Sequence, residues 1–148
     1  MKKIQTQFIV TCLSLFLLFG CDVLKGIPTN TTGGVFSLNG SWKMESSNDN
    51  NALAGTIVTV YPIAGNGNGN IPILQNNAYC LRVNDVLWKS ITANNGNFNI
   101  SNLVNSCSSS IVYKTAVLTV ITTDEIRLSG TTSTNASLIQ TWKRVATK

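Results

Sequence analysis

Short alternating segments, separated by turns rich in Asn and Gly, constrain the fold of this chain more than any other feature. In residues 41–46, Trp42 and Met44 alternate with Lys43 and Glu45, which is the two-residue period of a strand with one buried face. Segments of this kind recur roughly every 10–12 residues, and no amphipathic helical window of useful length interrupts them. About eight short strands predict an all-β domain, either an antiparallel barrel or a sandwich.

The remaining predicted strands alternate clearly or are dense in Val, Ile and Thr. They cover residues 55–61, 71–75, 79–83, 86–91, 98–100, 111–122, 125–129 and 138–145. The Asn-Asp pair at residues 84–85 favours a hairpin or a bend between segments 79–83 and 86–91. The Gly/Asn repeat at residues 65–70 predicts a mobile loop, and the polar residues 94–97 predict a turn.

The side chains that most enzymes use for catalysis are scarce. The chain has no histidine, which removes the commonest general base and the commonest metal ligand. Only six carboxylates are present; Asp124 and Glu125 are neighbours in an expected turn, and no other two form a recognisable glycosidase pair. No nucleophile elbow, phosphate-binding loop or dinucleotide fingerprint occurs. We therefore expect a protein that is not an enzyme and that carries no cofactor and no metal.

Charge gives no indication of a nucleic-acid partner. The formal net charge is +5, and Lys2 and Lys3 of the extreme N-terminal segment contribute to it. The remaining charges are scattered, without the basic runs or the aromatic–basic interleaving of nucleic-acid binders. We interpret them as a solvated, mildly basic surface and expect no nucleic-acid binding.

The N-terminal segment has the features of an export signal. Residues 1–3 form a short positive region, and residues 8–19 form a weakly polar to apolar run. This run falls within the ~7–15 residues of a signal hydrophobic region and is shorter than the ~20 residues that span a bilayer. Residues 18–21, Leu-Phe-Gly-Cys, resemble a bacterial lipobox, in which a small residue precedes a lipidated cysteine. The alternatives are an ordinary signal peptide with a chance cysteine and an uncleaved anchor.

The lipobox resemblance implies how the protein is processed and where it is held. Residues 1–20 would be removed, and Cys21 would become the first residue of the mature chain, carrying two or three acyl chains. One acyl chain alone anchors only marginally, whereas two or three hold a protein on a membrane stably. We therefore expect a lipid-anchored protein of the bacterial cell envelope, at the outer membrane. Residues 21–37 predict a flexible tether, and residues 38–148 predict the β domain.

The four cysteines divide by position. Cys12 lies in the signal segment and Cys21 is the lipid site, so Cys80 and Cys107 remain as an even pair in an exported chain. We expect them to form a disulfide, which stabilises the domain by roughly 3–4 kcal/mol in the chain-entropy model. Two buried free thiols are the alternative. A zinc site is not expected from two cysteines without histidine.

The two ends of the β domain share a pattern with a known family. Residues 40–42, Gly-Ser-Trp, open the first strand, and residues 141–144, Thr-Trp-Lys-Arg, lie on the last. This resembles bacterial lipocalin-like lipoproteins, whose first strand carries Gly-x-Trp and whose last strand carries Trp and Arg. The resemblance implies an up-and-down barrel in which Trp42 plugs one end and the Arg144 guanidinium covers its ring, a contact worth roughly 0.5–2 kcal/mol. The alternative is a β-sandwich in which the tryptophans are ordinary core residues.

Two functions are compatible with these features. The first is binding of a small apolar or amphipathic ligand in the barrel, as the resemblance implies. The second is a structural or interaction role, in which the Asn-rich loops at residues 65–70 and 94–97 bind another envelope protein or inhibit a foreign enzyme. An apolar hollow of a few hundred Å³ would favour the first, and a filled interior would favour the second.

Overall fold

In the computed structural model of the 148-residue chain, the described residues are 29–30, 34–61, 67–107 and 111–146. Cys21, the signal segment and most of the tether predicted from the sequence lie outside these ranges. The regular structure within them is entirely β. The strands are β1 (Thr29–Asn30), β2 (Gly34–Val35), β3 (Gly40–Ser47), β4 (Ile57–Tyr61), β5 (Gly67–Ile73), β6 (Val86–Asn94), β7 (Asn97–Asn105), β8 (Val112–Val120), β9 (Glu125–Thr131) and β10 (Ser137–Arg144).

Eight of these strands form one closed barrel. From β3 to β10 each strand pairs antiparallel with the next in the chain, and β10 then pairs with β3. The up-and-down barrel predicted from the sequence is confirmed, and the sandwich alternative is excluded. Closure leaves none of the eight strands with an unpaired edge. Strands β1 and β2 form a separate two-stranded ladder.

The barrel closes at the pairing of its first and last strands, as the Trp-bearing ends of the domain predict. Arg144 lies opposite Trp42 across this seam, and Trp142 lies opposite Met44. The register shifts once, between Thr141 and Trp142. The three apolar side chains, Trp42, Met44 and Trp142, are fully buried.

A two-residue alternation separates the interior of the barrel from its surface. In β10, Leu138, Gln140 and Trp142 are buried, whereas Ile139 and Lys143 on the other face are exposed. Successive side chains of a strand point to opposite faces of the sheet, so one set fills the barrel and the other meets solvent. The buried core residues therefore occupy every second position of most strands.

The prediction of a mobile loop at residues 65–70 is wrong for residues 67–70, which belong to β5. The physical reason lies at Gly69, which is buried opposite Trp88 of β6. A Cβ atom on Gly69 would lie 3.2 Å from Trp88 Cε3 and 2.7 Å from Val58 Cγ1. The absent side chain therefore makes room for the Trp88 indole, and a Gly-rich composition marks close packing here rather than mobility.

The hairpin expected between segments 79–83 and 86–91 does not form, whereas the bend at residues 84–85 does, since the Asp85 N–H donates to the Arg82 carbonyl at 3.1 Å. Residues 74–85 form an irregular connection, and β6 pairs with β5 and β7 instead. The Asn77 amide binds both the N–H and the C=O of Leu81, each at 2.8 Å, and so takes the place of strand partners. Cys80 and Asn84 have φ angles of 56° and 74°, which no regular strand accommodates.

Candidate functional site

One end of the barrel, where Trp42 and Arg144 lie, is closed by the segment that leads into β3; we call it the sealed end. Phe36 and Leu38 of this segment are buried in the core. The Phe36 ring lies 6.2 Å from the Trp42 ring and 6.0 Å from the Phe98 ring, between centroids. Phe36 falls within residues 21–37, for which the sequence predicts a tether, so the packed part of the chain begins at least there.

Trp42 closes the sealed end from inside. Its side chain is fully buried, and its indole N–H donates to the Leu38 carbonyl at 2.9 Å. A buried indole N–H normally requires such a partner. The hydrogen bond also fixes residues 36–39 against the end of the barrel.

Arg144 covers the Trp42 ring from the outer side. Its guanidinium carbon lies 4.2 Å from the centroid of that ring. Nη1 donates to the Asn39 carbonyl and Nη2 to the Ser37 carbonyl, both at 2.7 Å. Nε donates to the Thr123 carbonyl at 3.1 Å. The planar fork of arginine thus joins the N-terminal segment to the β8–β9 loop, a geometry that lysine cannot reproduce.

The charge of Arg144 has one carboxylate beside it. Asp124 Oδ1 lies 3.5 Å from Arg144 Nε. Burial lowers the pKa of the Arg144 guanidinium from its ordinary value, and the Asp124 carboxylate opposes that shift. The guanidinium still keeps its proton at neutral pH, because arginine is not deprotonated in proteins.

The opposite end of the barrel is held by a disulfide, and we call it the disulfide end. Cys80 and Cys107 are bonded, with their Cα atoms 4.7 Å apart, so the disulfide predicted from the sequence is confirmed. The bond joins the β5–β6 connection to the β7–β8 connection. The Ser106 N–H donates to the Tyr79 carbonyl at 2.9 Å and reinforces the same junction. Leu53 and Leu81, from two loops at this end, are buried in the core.

The middle of the barrel is filled by aromatic side chains. Trp88 on β6 and Trp142 on β10 are fully buried, and their ring centroids are 4.9 Å apart in an edge-to-face arrangement. Three strands separate β6 from β10 on either side of the ring of eight, so these strands form opposite walls. The two indoles therefore meet across the barrel axis.

Two polar side chains share this interior. Asn102 of β7 and Gln140 of β10 are 2% and 1% exposed. Gln140 Oε1 accepts a hydrogen bond from Trp142 Nε1 at 3.2 Å. Trp88 Nε1 and Asn102 Oδ1 are buried and have no partner among the described residues. Neither amide is among the site residues predicted from the sequence. The alternation of β10 could have revealed Gln140, because it occupies an inward position between Leu138 and Trp142.

An open polar groove of about 570 Å³ lies at the disulfide end. Its walls are the β3–β4 turn and the start of the β5–β6 connection. The lining residues are Asp49, Asn50, Asn51, Ala52, Asn76, Asn77 and Ala78. Asp49 is the one charged side chain in this lining, and its two carboxylate oxygens are buried without a hydrogen-bond partner among the described residues. Among the described residues, no group of three or more Asp, Glu, Cys or His side chains is placed to hold a metal.

The fold and its closure define a class: a closed eight-stranded up-and-down barrel with a Trp–Arg seal at one end and a disulfide at the other. In comparisons with protein-family models, with curated proteins and with solved structures, nothing matches this chain significantly. Within the ranges that the structure describes, no helix is both long and apolar enough to span a bilayer.

Proposed function

We propose that this chain is a lipid-anchored protein of the bacterial cell envelope that binds another envelope protein through its disulfide end, without catalysing a reaction. One observation favours a binding site on the surface over a binding site inside the barrel. Trp88 and Trp142 meet across the barrel axis and are both fully buried. An eight-stranded barrel has room for its own side chains or for one small ligand, and here indoles occupy its centre.

The disulfide end has the composition of a protein-binding surface. Ile73, Val83 and Ile111 lie at this end and are 46%, 54% and 66% exposed. The carboxamides of the groove lie at the same end. Apolar anchors among polar groups that can hydrogen-bond are typical of protein interfaces.

The same end is also held rigidly. Asn48 accepts from the Ile139 N–H at 2.8 Å and donates to the Ser137 carbonyl at 3.1 Å, which ties the β3–β4 turn to β10. The bond between Cys80 and Cys107 ties two further connections together. Loops that are ordered before binding lose less conformational entropy when a partner docks.

The end at which the chain enters the barrel also supports binding through the disulfide end. The segment that leads into β3 packs at the sealed end, through Phe36 and Leu38. A lipid on Cys21 would therefore attach at that end, and the disulfide end would face away from the membrane. The loops first considered for binding do not share this position. Residues 67–70 are part of a strand, and Asn95 and Gly96 form a tight turn at the sealed end.

Site-specific photo-crosslinking in the producing bacterium tests the proposal. A photoreactive phenylalanine analogue replaces Val83 at the disulfide end or, as a matched control, Tyr61 at the sealed end; these residues are 54% and 65% exposed. We expect one discrete protein adduct from position 83 and none of that mass from position 61. Identical adducts from both positions, or none from position 83, would contradict binding through the disulfide end.

A second candidate function is binding of a small amphipathic ligand inside the barrel. The observation that favours it is the polarity of the interior, where Asn102, Gln140 and the Trp88 N–H are buried among apolar side chains. Native mass spectrometry of the protein purified from its own host distinguishes this candidate. A stoichiometric small molecule would support it, and an unliganded mass throughout would oppose it.

A further inference from the structure

The three tryptophans differ in what their indole N–H groups bind. Trp42 Nε1 donates to the Leu38 carbonyl at 2.9 Å, and Trp142 Nε1 donates to Gln140 Oε1 at 3.2 Å. Trp88 Nε1 has no acceptor in the part of the chain that the structure describes, although the residue is 0% exposed. Buried indole N–H groups are usually satisfied, so Trp88 is the exception among three otherwise comparable groups.

A complementary unpaired group lies on the neighbouring strand. Asn102 is 2% exposed, and its Oδ1 atom is buried without a hydrogen-bond donor among the described residues. Asn102 and Trp88 are directly opposite each other in the antiparallel pair of β7 and β6. Side chains at opposite positions stand on the same face of the sheet, with Cβ atoms roughly 4.5–5.5 Å apart. An unpaired donor and an unpaired acceptor therefore face the same region of the interior.

Leaving both groups unpaired is costly. A buried donor or acceptor without a partner destabilises a protein, because it has given up its hydrogen bonds to water and gained none in return. The ring of Trp142 lies 4.9 Å from that of Trp88, so the surroundings are apolar on one side. A hydroxyl group is both an acceptor and a donor, and one hydroxyl can satisfy both groups. Buried waters in proteins occupy polar positions of this kind.

We propose that Trp88 and Asn102 form a buried binding site for one hydroxyl group. The hydroxyl oxygen accepts the hydrogen of Trp88 Nε1, and the hydroxyl hydrogen is donated to Asn102 Oδ1. The group belongs either to a water molecule enclosed when the barrel closes or to the hydroxyl end of an amphipathic molecule. The site is independent of the surface proposed for protein binding, because both of its side chains are buried inside the barrel.

Nuclear magnetic resonance of the full-length protein, labelled with ¹⁵N at the tryptophan indoles and solubilised in detergent, tests the site. We expect the Trp88 indole proton to show a cross-relaxation peak either to a long-lived water or to a bound hydroxylated molecule. The indole protons of Trp42 and Trp142 bind protein acceptors, so they serve as internal controls and should show no such peak. Extraction of the purified protein into organic solvent, followed by mass spectrometry, distinguishes water from a hydroxylated ligand.

A pair of variants on β7 tests whether the Trp88 peak depends on Asn102. Asn102→Leu removes the acceptor at similar volume, and we expect the Trp88 peak to disappear while the Trp42 and Trp142 indole signals keep their positions. Asn99→Leu, three residues earlier on the same strand, is the matched control and should leave the Trp88 peak intact. Absence of a peak from the wild-type Trp88 indole proton to water or to a ligand would overturn the proposal. This measurement needs only the wild-type protein, so it tests the proposal even if Asn102→Leu does not fold.

Discussion

The guanidinium of Arg144 packs tightly against the position that a side chain on Gly40 would occupy. A Cβ atom built on Gly40 would be 3.1 Å from Arg144 Nη1, and Gly40 has a φ of 115°, where residues with a side chain are strained. The glycine of the Gly-Ser-Trp motif therefore does two things. It allows the chain to turn into β3, and it leaves room for the cation that covers Trp42.

We expect Gly40→Ala to destabilise the domain by about 1–3 kcal/mol, through backbone strain and displacement of Arg144. Urea denaturation followed by tryptophan fluorescence measures the loss. Gly67→Ala is the control, because a Cβ there makes only ordinary contacts, the nearest at 3.5 Å, and the backbone is not strained. Equal losses in the two variants would contradict the role assigned to Gly40.

Trp42→Ala should destabilise the domain by about 3–5 kcal/mol, as truncation of a fully buried indole does. Arg144→Ala should destabilise it by about 1–3 kcal/mol, because it removes charge-assisted hydrogen bonds to backbone carbonyls. Arg144→Lys keeps the charge but not the planar guanidinium group. It should therefore still lose more than half of the stability that Arg144→Ala loses.

The contact between these two side chains can be measured separately. In a double-mutant cycle of Trp42→Leu and Arg144→Ala, where leucine has no aromatic face for the guanidinium, we expect a coupling free energy of about 0.5–2 kcal/mol. A coupling of zero within error would mean that Arg144 acts only through the carbonyls of Ser37, Asn39 and Thr123.

Replacing both Cys80 and Cys107 by Ser should lower the free energy of unfolding by roughly 3–4 kcal/mol. We expect faster amide hydrogen exchange in residues 76–85 and 104–107, while the seam between β3 and β10 keeps its protection at conditions where the variant is folded. Thiol counting of the native protein under denaturing, non-reducing conditions should find neither cysteine free. Uniformly faster exchange over the whole barrel would show that the bond stabilises more than the disulfide end.

Cys21→Ala should release the protein from the membrane fraction or block its processing, if the lipobox interpretation holds. The reason is that the acyl chains on this residue would provide the attachment. Fractionation and electrophoretic mobility of the parent and the variant check it, and Cys12→Ala is the control within the signal segment. Unchanged fractionation and mobility in Cys21→Ala would exclude the lipid anchor.

The parts of the fold that could be predicted from the sequence are those where alternation records burial directly. In β3, Trp42 and Met44 face inward and alternate with Lys43 and Glu45, and in β10 Trp142 faces inward beside Lys143. The pairing of these two strands followed from their shared position at the ends of the domain.

The errors arose where local contacts override alternation. Residues 79–83 alternate in polarity, yet a positive φ at Cys80 and the side-chain bonds of Asn77 hold them as a loop. In β5 the inward residue Gly69 has no side chain, because the Trp88 indole occupies that space. The interior polar pair, Trp88 and Asn102, could not be predicted, since it depends on the register in which β6 and β7 pair.

The seam between β3 and β10 also has a kinetic consequence. Arg144 and Asn39, which hydrogen-bond across it, are 105 residues apart in sequence. Pairing of the first and last strands joins residues far apart in the chain, so folding should belong to the slow class of two-state proteins, on the order of milliseconds to seconds. Until then the two outer strands of the unfinished meander present free edges, which can pair with a second copy of the same chain. Formation of the Trp–Arg seal therefore removes these two free edges and ends the period in which the chain is most prone to aggregate.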